Sequence, residues 1–396
     1  MRKRLLLPIV LLGRCVVTAP AATGPAWQIE TVDSSGPAKS ASMKVDREGN
    51  LHVAFVTDEG NLYPLRYGFW DRSVKKWFVM KVADGAATCS LVLDSQQRPH
   101  IAYVDYGTGS GSKLRYVSWN GKAWDKQAIP LNSDVIAYFT SIALDKNDNP
   151  SISFYEYRGP RETEIRIRLR NVMRTGNHWQ VRTVDPQEGS GKFNCTAAGA
   201  NNSLHIAYAN VSTGTTGLRY AVWQGSGWKT EIVDGGDTAI GEAVGFSACL
   251  AMDSTGDPHV IYSNESRPSI RYAARKNNRW TIQVVEGLAA VAYPDRNSIA
   301  IGPGDRPYLG YFDAGRGELR VAYPSGKAWV IETVDGGGCG FNSSLETDAT
   351  YIYVAYSDAV QGGLKVARRP LASDISGIGA TGQKATAPDT APAASK

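Results

Sequence analysis

The residues of this 396-residue chain with the clearest chemical potential are its histidines, a recurring set of carboxylates and one loop rich in tyrosine and arginine. Histidine is the side chain best suited to proton transfer near neutral pH. His52, His100, His205 and His259 each open a similar apolar run, and Asp46, Asp94 and Asp253 lie six residues before three of them. A residue that returns at one position of a repeat is expected to serve packing or turn geometry, not a single reaction centre. His178 stands outside the series, beside Trp179 on a turn at the far end from the other candidates. No Ser-His-Asp or Cys-His constellation can be assembled from the pattern, so no catalytic residue is singled out.

Side-chain oxygens, six of them carboxylate or amide, end the same runs, five residues past the histidine position: Thr57, Asp105, Glu156, Asn210, Asn264, Asp313 and Asp358. A second series ends the tryptophan runs described below: Asp33, Asp84, Asp185, Asp234, Glu286 and Asp335. Such side chains cap turns by accepting backbone N–H groups, and they equally suit a polar ligand. No cofactor is implied, calcium at these carboxylates being the one ion the pattern leaves open. Nearby stand the aromatics Tyr138, Phe139, Phe193, Phe246, Tyr293 and Phe341, with Asn194 and Asn342 adjacent. Aromatic faces beside amides and carboxylates suit sugars, and the same aromatics would also plug a channel mouth.

One segment departs from the repeat, Tyr155-Glu156-Tyr157-Arg158-Gly159-Pro160-Arg161, followed by Arg166, Arg168 and Arg170. Tyrosine and arginine are enriched at binding hot spots. Tyr155, Glu156, Tyr157, Arg158 and Arg161 are therefore the leading ligand candidates, joined by Asp105, Asp313, Asp358, Tyr138, Phe193, Phe246, Tyr293 and Phe341. On this reading Glu156→Gln affects a ligand and spares stability.

These residues are positioned by a repeat of about fifty residues. Tryptophan recurs at 27, 77, 124, 179, 228, 280 and 329, each time opening a β-branched run such as WQIETV or WVIETV. Two alternating apolar runs about a Gly/Pro/Asn turn follow, as in SLVLDSQQRPHIAYVD, and read as a β-hairpin. A third run, LRY, IRY, LRV or LKV (IRIRL from Ile165 in the third copy), closes each unit. Each unit thus has four strands, A to D, with the tryptophan on D, which is the pattern of a propeller blade. The last unit stops at LKVARR and has no tryptophan strand, while Trp27–Val32 precedes any strand A. The expected fold is an all-β, seven-bladed β-propeller over Trp27–Arg369, its last blade closed by the N-terminal strand, which removes two open edges together. Alternating strand direction puts the B–C and D–A loops, and with them the candidate residues, on one face. Arg219 with Glu231, Arg320 with Glu332, and Lys365 with Glu30 are expected to face each other as cross-strand ion pairs between C and D.

Arg2, Lys3 and Arg4, the apolar Leu5–Gly13 and the small residues Ala19-Pro20-Ala21 resemble a secretory signal over residues 1–21. Arg14 before Cys15 departs from a lipid-anchor site. Residues 370–396, rich in Ala, Thr, Ser, Gly and Pro, read as a disordered tail. Of the remaining cysteines, Cys89, Cys195, Cys249 and Cys339, the two best placed to pair are Cys195 and Cys249, at one repeat position in neighbouring units; two buried thiols are the equal alternative. None has the spacing of a zinc site. A net charge of +5 without a basic tract argues against nucleic acid, and no apolar run is long enough to span a membrane.

The pattern of a Trp strand followed by S-x-x-x-D-x-x-G-x-P-H-I-A-Y resembles the broad group of bacterial secreted propellers with sialidase-like or BNR-type repeats, over Trp27–Arg369. The Asp boxes of true sialidases, S-x-D-x-G-x-x-W, are absent. The resemblance implies the fold and not the activity. The expected role is an exported monomer, secreted or periplasmic, that binds a glycan or an extracellular or periplasmic protein through the B–C/D–A face. The alternative is a lyase or glycoside hydrolase using carboxylates, Tyr and Arg of that face.

Overall fold

A computed structural model describes residues 26–60, 62–106, 113–158, 166–199, 202–212, 215–291 and 296–371. They form seven four-stranded antiparallel sheets. The blades comprise residues 38–83, 86–128, 135–185, 190–234, 244–287 and 298–335, and the seventh combines 341–370 with Gln28–Asp33. Gln28 faces Arg368, Glu30 faces Val366 and Asp33 faces Leu364, so the N-terminal strand is strand D of the last blade. Residues 1–21, and the tail beyond Leu371, lie outside the described residues.

Burial follows strand order. In blade one, strand B (Leu51–Thr57) is buried throughout, whereas outer strand D (Lys76–Ala83) is largely exposed or half-buried. The recurring tryptophans join neighbouring blades. Tyr67, Tyr116, Tyr220 and Tyr272 on strand C meet Trp124, Trp179, Trp280 and Trp329 of the following blade edge-to-face, at 5.2 to 5.3 Å. Such pairs stabilise by about 0.5–1.5 kcal/mol beyond their burial.

Around the axis, strands A are stitched by one repeated hydrogen bond. Ser42, Ser90 and Ser141 accept the N–H of Leu91, Ile142 and Thr196 on the next blade at 2.9, 3.2 and 2.9 Å. Ser344 of blade seven accepts that of Met43 at 2.9 Å, which closes the ring. Cys195 takes the same place, its sulfur 3.2 Å from the N–H of Leu250. Cys195 and Cys249 are free thiols with sulfurs 3.2 Å apart.

The A–B turns explain the repeated Asp and His. One oxygen of Asp46, Asp94, Asp145 and Asp253 accepts two backbone N–H groups of its turn, two and four residues on. The turn's third residue after Asp is left-handed, hence Gly49 and Gly256 at φ of 80° and 83°. The other oxygen faces Nε2 of His52, His100 or His259 at 3.3 Å, while the imidazole Nδ1 meets a strand C tyrosine, Tyr67 at 2.6 Å and Tyr116 at 2.5 Å. The four repeat histidines are packing and turn residues with both ring nitrogens engaged; His52, His100 and His205 are buried and His259 is half-buried.

One expectation about strands C and D needs correction. The register sets Glu231 opposite Tyr220, Glu332 opposite Val321 and Glu30 opposite Val366, one residue from the cations proposed as partners. In these three blades a bulge after the first residue of the C–D pair makes the slip, and a one-residue slip turns side chains to the other face. Glu231 instead bonds Trp280 and Arg275, and Glu332 bonds Tyr323 and Arg369. In blade three the strand C motif is Leu169-Arg170-Asn171, facing Asp185, Thr183 and Arg182, so Arg170 holds the repeated cation position.

Candidate functional site

The axial channel is lined by strands A of all seven blades and encloses about 580 Å³. Lys44 of blade one and Glu346 of blade seven form an ion pair in its wall. Toward the B–C/D–A face, strands A carry a bulge that sequence inspection did not find. In blades three, four, five and seven, two residues oppose one on strand B, and the first is left-handed without being glycine: Phe139, Phe193, Ser247 and Asn342, at φ of 50°, 50°, 52° and 54°. Such backbone is uncommon for an aromatic and persists only where its surroundings hold it. Asn194 supplies part of that hold. Its amide donates to Phe139 O at 2.5 Å and Gly191 O at 3.0 Å, and its oxygen accepts from Ser153 at 2.5 Å. Asn194 is thus engaged in the frame.

The bulges gather a continuous aromatic patch at the channel mouth. Phe139 lies 4.9 Å from Phe193, which lies 5.7 Å from Phe246, and Tyr155 stands 6.0 Å from Phe139 and 6.4 Å from Tyr138. Phe193, Phe246 and Tyr155 are mostly buried, while Tyr138 and Phe139 keep part of their rings in solvent. Phe341 sits apart, 4.2 Å from Phe312. Arg296 of blade six reaches across to Thr140 O of blade three at 3.4 Å. On the rim, Lys192 and Glu265 flank the patch. Burial pushes the Glu265 carboxyl above its ordinary value, and the charge of Lys192 partly counters this.

Most candidate carboxylates are engaged by the scaffold. Glu156 is 2 % exposed and pairs with Arg170 at 2.9 Å, so a change there acts on stability, contrary to the loop role the sequence suggested. Asp313 caps Gly315 and Arg316 N–H groups and pairs with the Arg316 guanidinium at 2.5 Å. Asp358 caps Val360 and Gln361 and pairs with Lys365 at 2.8 Å; bonds from Lys365 and the turn hold its carboxyl down at about 2 despite burial. Asp105 pairs with Arg115 at 3.0 Å. From the distinctive blade-three segment, Tyr157 and Arg158 are half-exposed, with Arg158 2.5 Å from Asp134. Arg161 and Tyr293 lie outside the described residues. Among those residues no group of His, Cys, Asp and Glu has the arrangement of a metal site, and no helix is long and apolar enough to cross a membrane.

The strand D carboxylates seal four inter-blade clefts. Asp185, Asp234, Glu286 and Asp335 each accept the hydroxyl of the next blade's strand B tyrosine, Tyr208, Tyr262, Tyr311 and Tyr356, at 2.6 to 2.8 Å. The next blade's strand C cation, Arg219, Arg271, Arg320 or Lys365, closes on the same carboxylate. Asp84 does not belong to this series. The register places Ala83 opposite Leu65, where Asp185 stands opposite Leu169.

No protein-family model and no curated protein matches the chain. Solved structures do match its fold. A polysaccharide lyase described as an ulvan lyase is 11% identical, with 88% of this chain and 98% of that chain covered and a TM-score of 0.55. The polysaccharide lyase Uly1 is 9% identical over 83% and 89%, with a TM-score of 0.52. A protein of unknown function from Dyadobacter fermentans is 14% identical over 86% and 98%, also at 0.52. At these identities the similarity establishes the β-propeller architecture, and the likeness to sialidase-like or BNR-type repeats stays one of pattern.

Proposed function

We propose that this propeller binds a carbohydrate at the mouth of its channel, on the B–C/D–A face. The observation that carries the reading is the patch of Tyr138, Phe139, Phe193 and Phe246, built on left-handed bulges and bordered by Arg296, Lys192 and Glu265. A partly open aromatic face supplies apolar contact for a sugar ring, and the charged rim supplies hydrogen bonds that fix its orientation. Strained backbone held by a dedicated amide is what a preorganised site requires. That two proteins sharing the fold are named polysaccharide lyases agrees with a polysaccharide ligand.

The enzymatic alternative is a lyase or hydrolase on the same face, and Glu265, whose carboxyl has a raised pKa and makes no hydrogen bond or ion pair among the described residues, is the residue that favours it. A glycosidase of the common kind needs two carboxyl groups flanking one bond, and the neighbouring Asp and Glu side chains are held in ion pairs and caps. Binding is therefore the preferred reading. A glycan array probed with the purified chain, followed by titration of the best ligand, tests it. Tyr138→Ala and Arg296→Ala are each expected to weaken binding about tenfold, the loss of one good contact. Equal affinity in both variants would move the site away from the mouth, and measurable bond cleavage lost in Glu265→Gln would favour the enzyme.

A further inference from the structure

The seven inter-blade clefts follow a matching rule with one exception. Where strand B carries a tyrosine, the preceding blade presents a carboxylate to it, as in the four clefts from blade three to blade seven. Between blades two and three both partners change together, to Phe154 and Pro130. Between blades seven and one the tyrosine is Phe55, and Asp33 turns to the N–H of Ser35 at 2.9 Å. Between blades one and two the tyrosine is kept, as Tyr103, but the carboxylate position is Ala83.

The consequence is a cleft of about 420 Å³ lined by Lys81, Ala83, Tyr103, Asp105, Arg115 and Lys126, together with the neighbouring Asp84 and Gln127. Tyr103 is 6 % exposed and its hydroxyl makes no hydrogen bond among the described residues. Arg115 turns to Asp105 of its own blade, and its side chain is 36% exposed, against 12 to 16% for Arg219, Arg271 and Arg320. Asp84, one residue past the series, points outward to Lys81 at 3.1 Å with 73% of its side chain exposed. The hydroxyl of a mostly buried tyrosine and a half-exposed guanidinium thus border open space that a carboxylate of the chain fills in four sister clefts.

We propose that this cleft is a binding site for a ligand carboxylate, which takes the place that Asp185, Asp234, Glu286 and Asp335 hold elsewhere. Tyr103 donates to it, and Arg115, Lys81 and Lys126 supply positive charge. Hydrogen bonds in which at least one partner is ionised are the strong ones. The carrier we assign is a uronic acid residue of a polysaccharide. The carboxylate assignment stands on the geometry, and the choice of a sugar as its carrier rests on the carbohydrate reading above.

The test is ligand-detected NMR titration of the purified chain with acetate, methyl glucuronide, methyl glucoside, inorganic sulfate and a short polyglutamate. Acetate and the glucuronide bind, the glucuronide more tightly, and the glucoside does not enter the cleft. Tyr103→Phe and Arg115→Ala weaken both anions about tenfold or more, as expected for a lost hydrogen bond to a charged group. Ala83→Asp restores the chain's own carboxylate, abolishes binding of both and raises the melting temperature. No acetate binding, or binding unchanged in Ala83→Asp and Tyr103→Phe, overturns the site. Sulfate preferred over acetate overturns the carboxylate. Acetate binding without any gain from the sugar ring, or polyglutamate binding more tightly than the glucuronide, overturns the sugar as carrier while leaving the site intact.

Discussion

Acid should weaken this fold through His205, and the size of the effect follows from its surroundings. His205 is buried; Tyr220 meets its Nδ1, and Ser203 Oγ meets its Nε2 at 2.7 Å. In three sister blades an aspartate faces the equivalent nitrogen, but the fourth blade has Gly199 in that place. Burial, and then the charge of Arg275, lower its pKa from 6.5 to about 4 with no carboxylate to offset them. The folded state thus binds its proton less readily than the unfolded chain. As pH falls below about 6.5 the unfolded state is protonated first, and stability declines until about pH 4, where the folded state takes up the proton too. At about 1.4 kcal/mol for each tenfold in the equilibrium, the loss across this window is about 3 kcal/mol from His205 alone. His52 and His100, also lowered by burial, act in the same direction. Urea unfolding from pH 7.5 to 4 measures it. His205→Gln lowers stability at pH 7.5, because bonds to Tyr220 are lost, yet flattens the dependence between pH 6.5 and 4 by roughly that amount. The same slope in both proteins, or stability that rises as pH falls, would refute the reasoning.

Other consequences can be measured on the same protein. Deleting residues 27–33 removes strand D of blade seven and bares the edge of Leu364–Pro370, so loss of cooperative unfolding or aggregation is expected by calorimetry and light scattering. Glu332→Ala leaves Arg369, 0 % exposed and held at 2.7 Å by Glu332 between Trp27 and Tyr323, without its carboxylate. The cost is about 3–5 kcal/mol in chemical denaturation, and a paired Glu332→Gln, Arg369→Met variant recovers most of it. Mild oxidant joins Cys195 to Cys249 across blades four and five, seen as one linked peptide pair by mass spectrometry, while Cys89 and Cys339 stay reduced.

The fold was legible because each blade repeats the same solutions. The tryptophan of strand D, the Asp turn and the tyrosine of strand B recur at fixed offsets, and the missing last strand D announced its own replacement. The site was less legible for physical reasons. The bulges at Phe139, Phe193, Ser247 and Asn342 have no residue type common to all four, so no motif marks them. A one-residue slip between strands C and D moved Arg219 and Arg320 from their expected partners to the preceding blade. The same slip hid that Ala83, not Asp84, closes the first strand D. Glu156 looked like a loop carboxylate because its partner, Arg170, is one of three arginines alternating along one strand and the sequence does not tell them apart.

The central claim is that the B–C/D–A face carries recognition and the A–B turns are scaffold. Hydrogen–deuterium exchange with the best ligand from the glycan array tests it directly. Added protection should fall on residues 137–140, 191–194 and 244–248 at the channel mouth, with residues 46–50, 94–98 and 253–257 unchanged. Protection concentrated on those turns, with the mouth unaltered, would contradict the account.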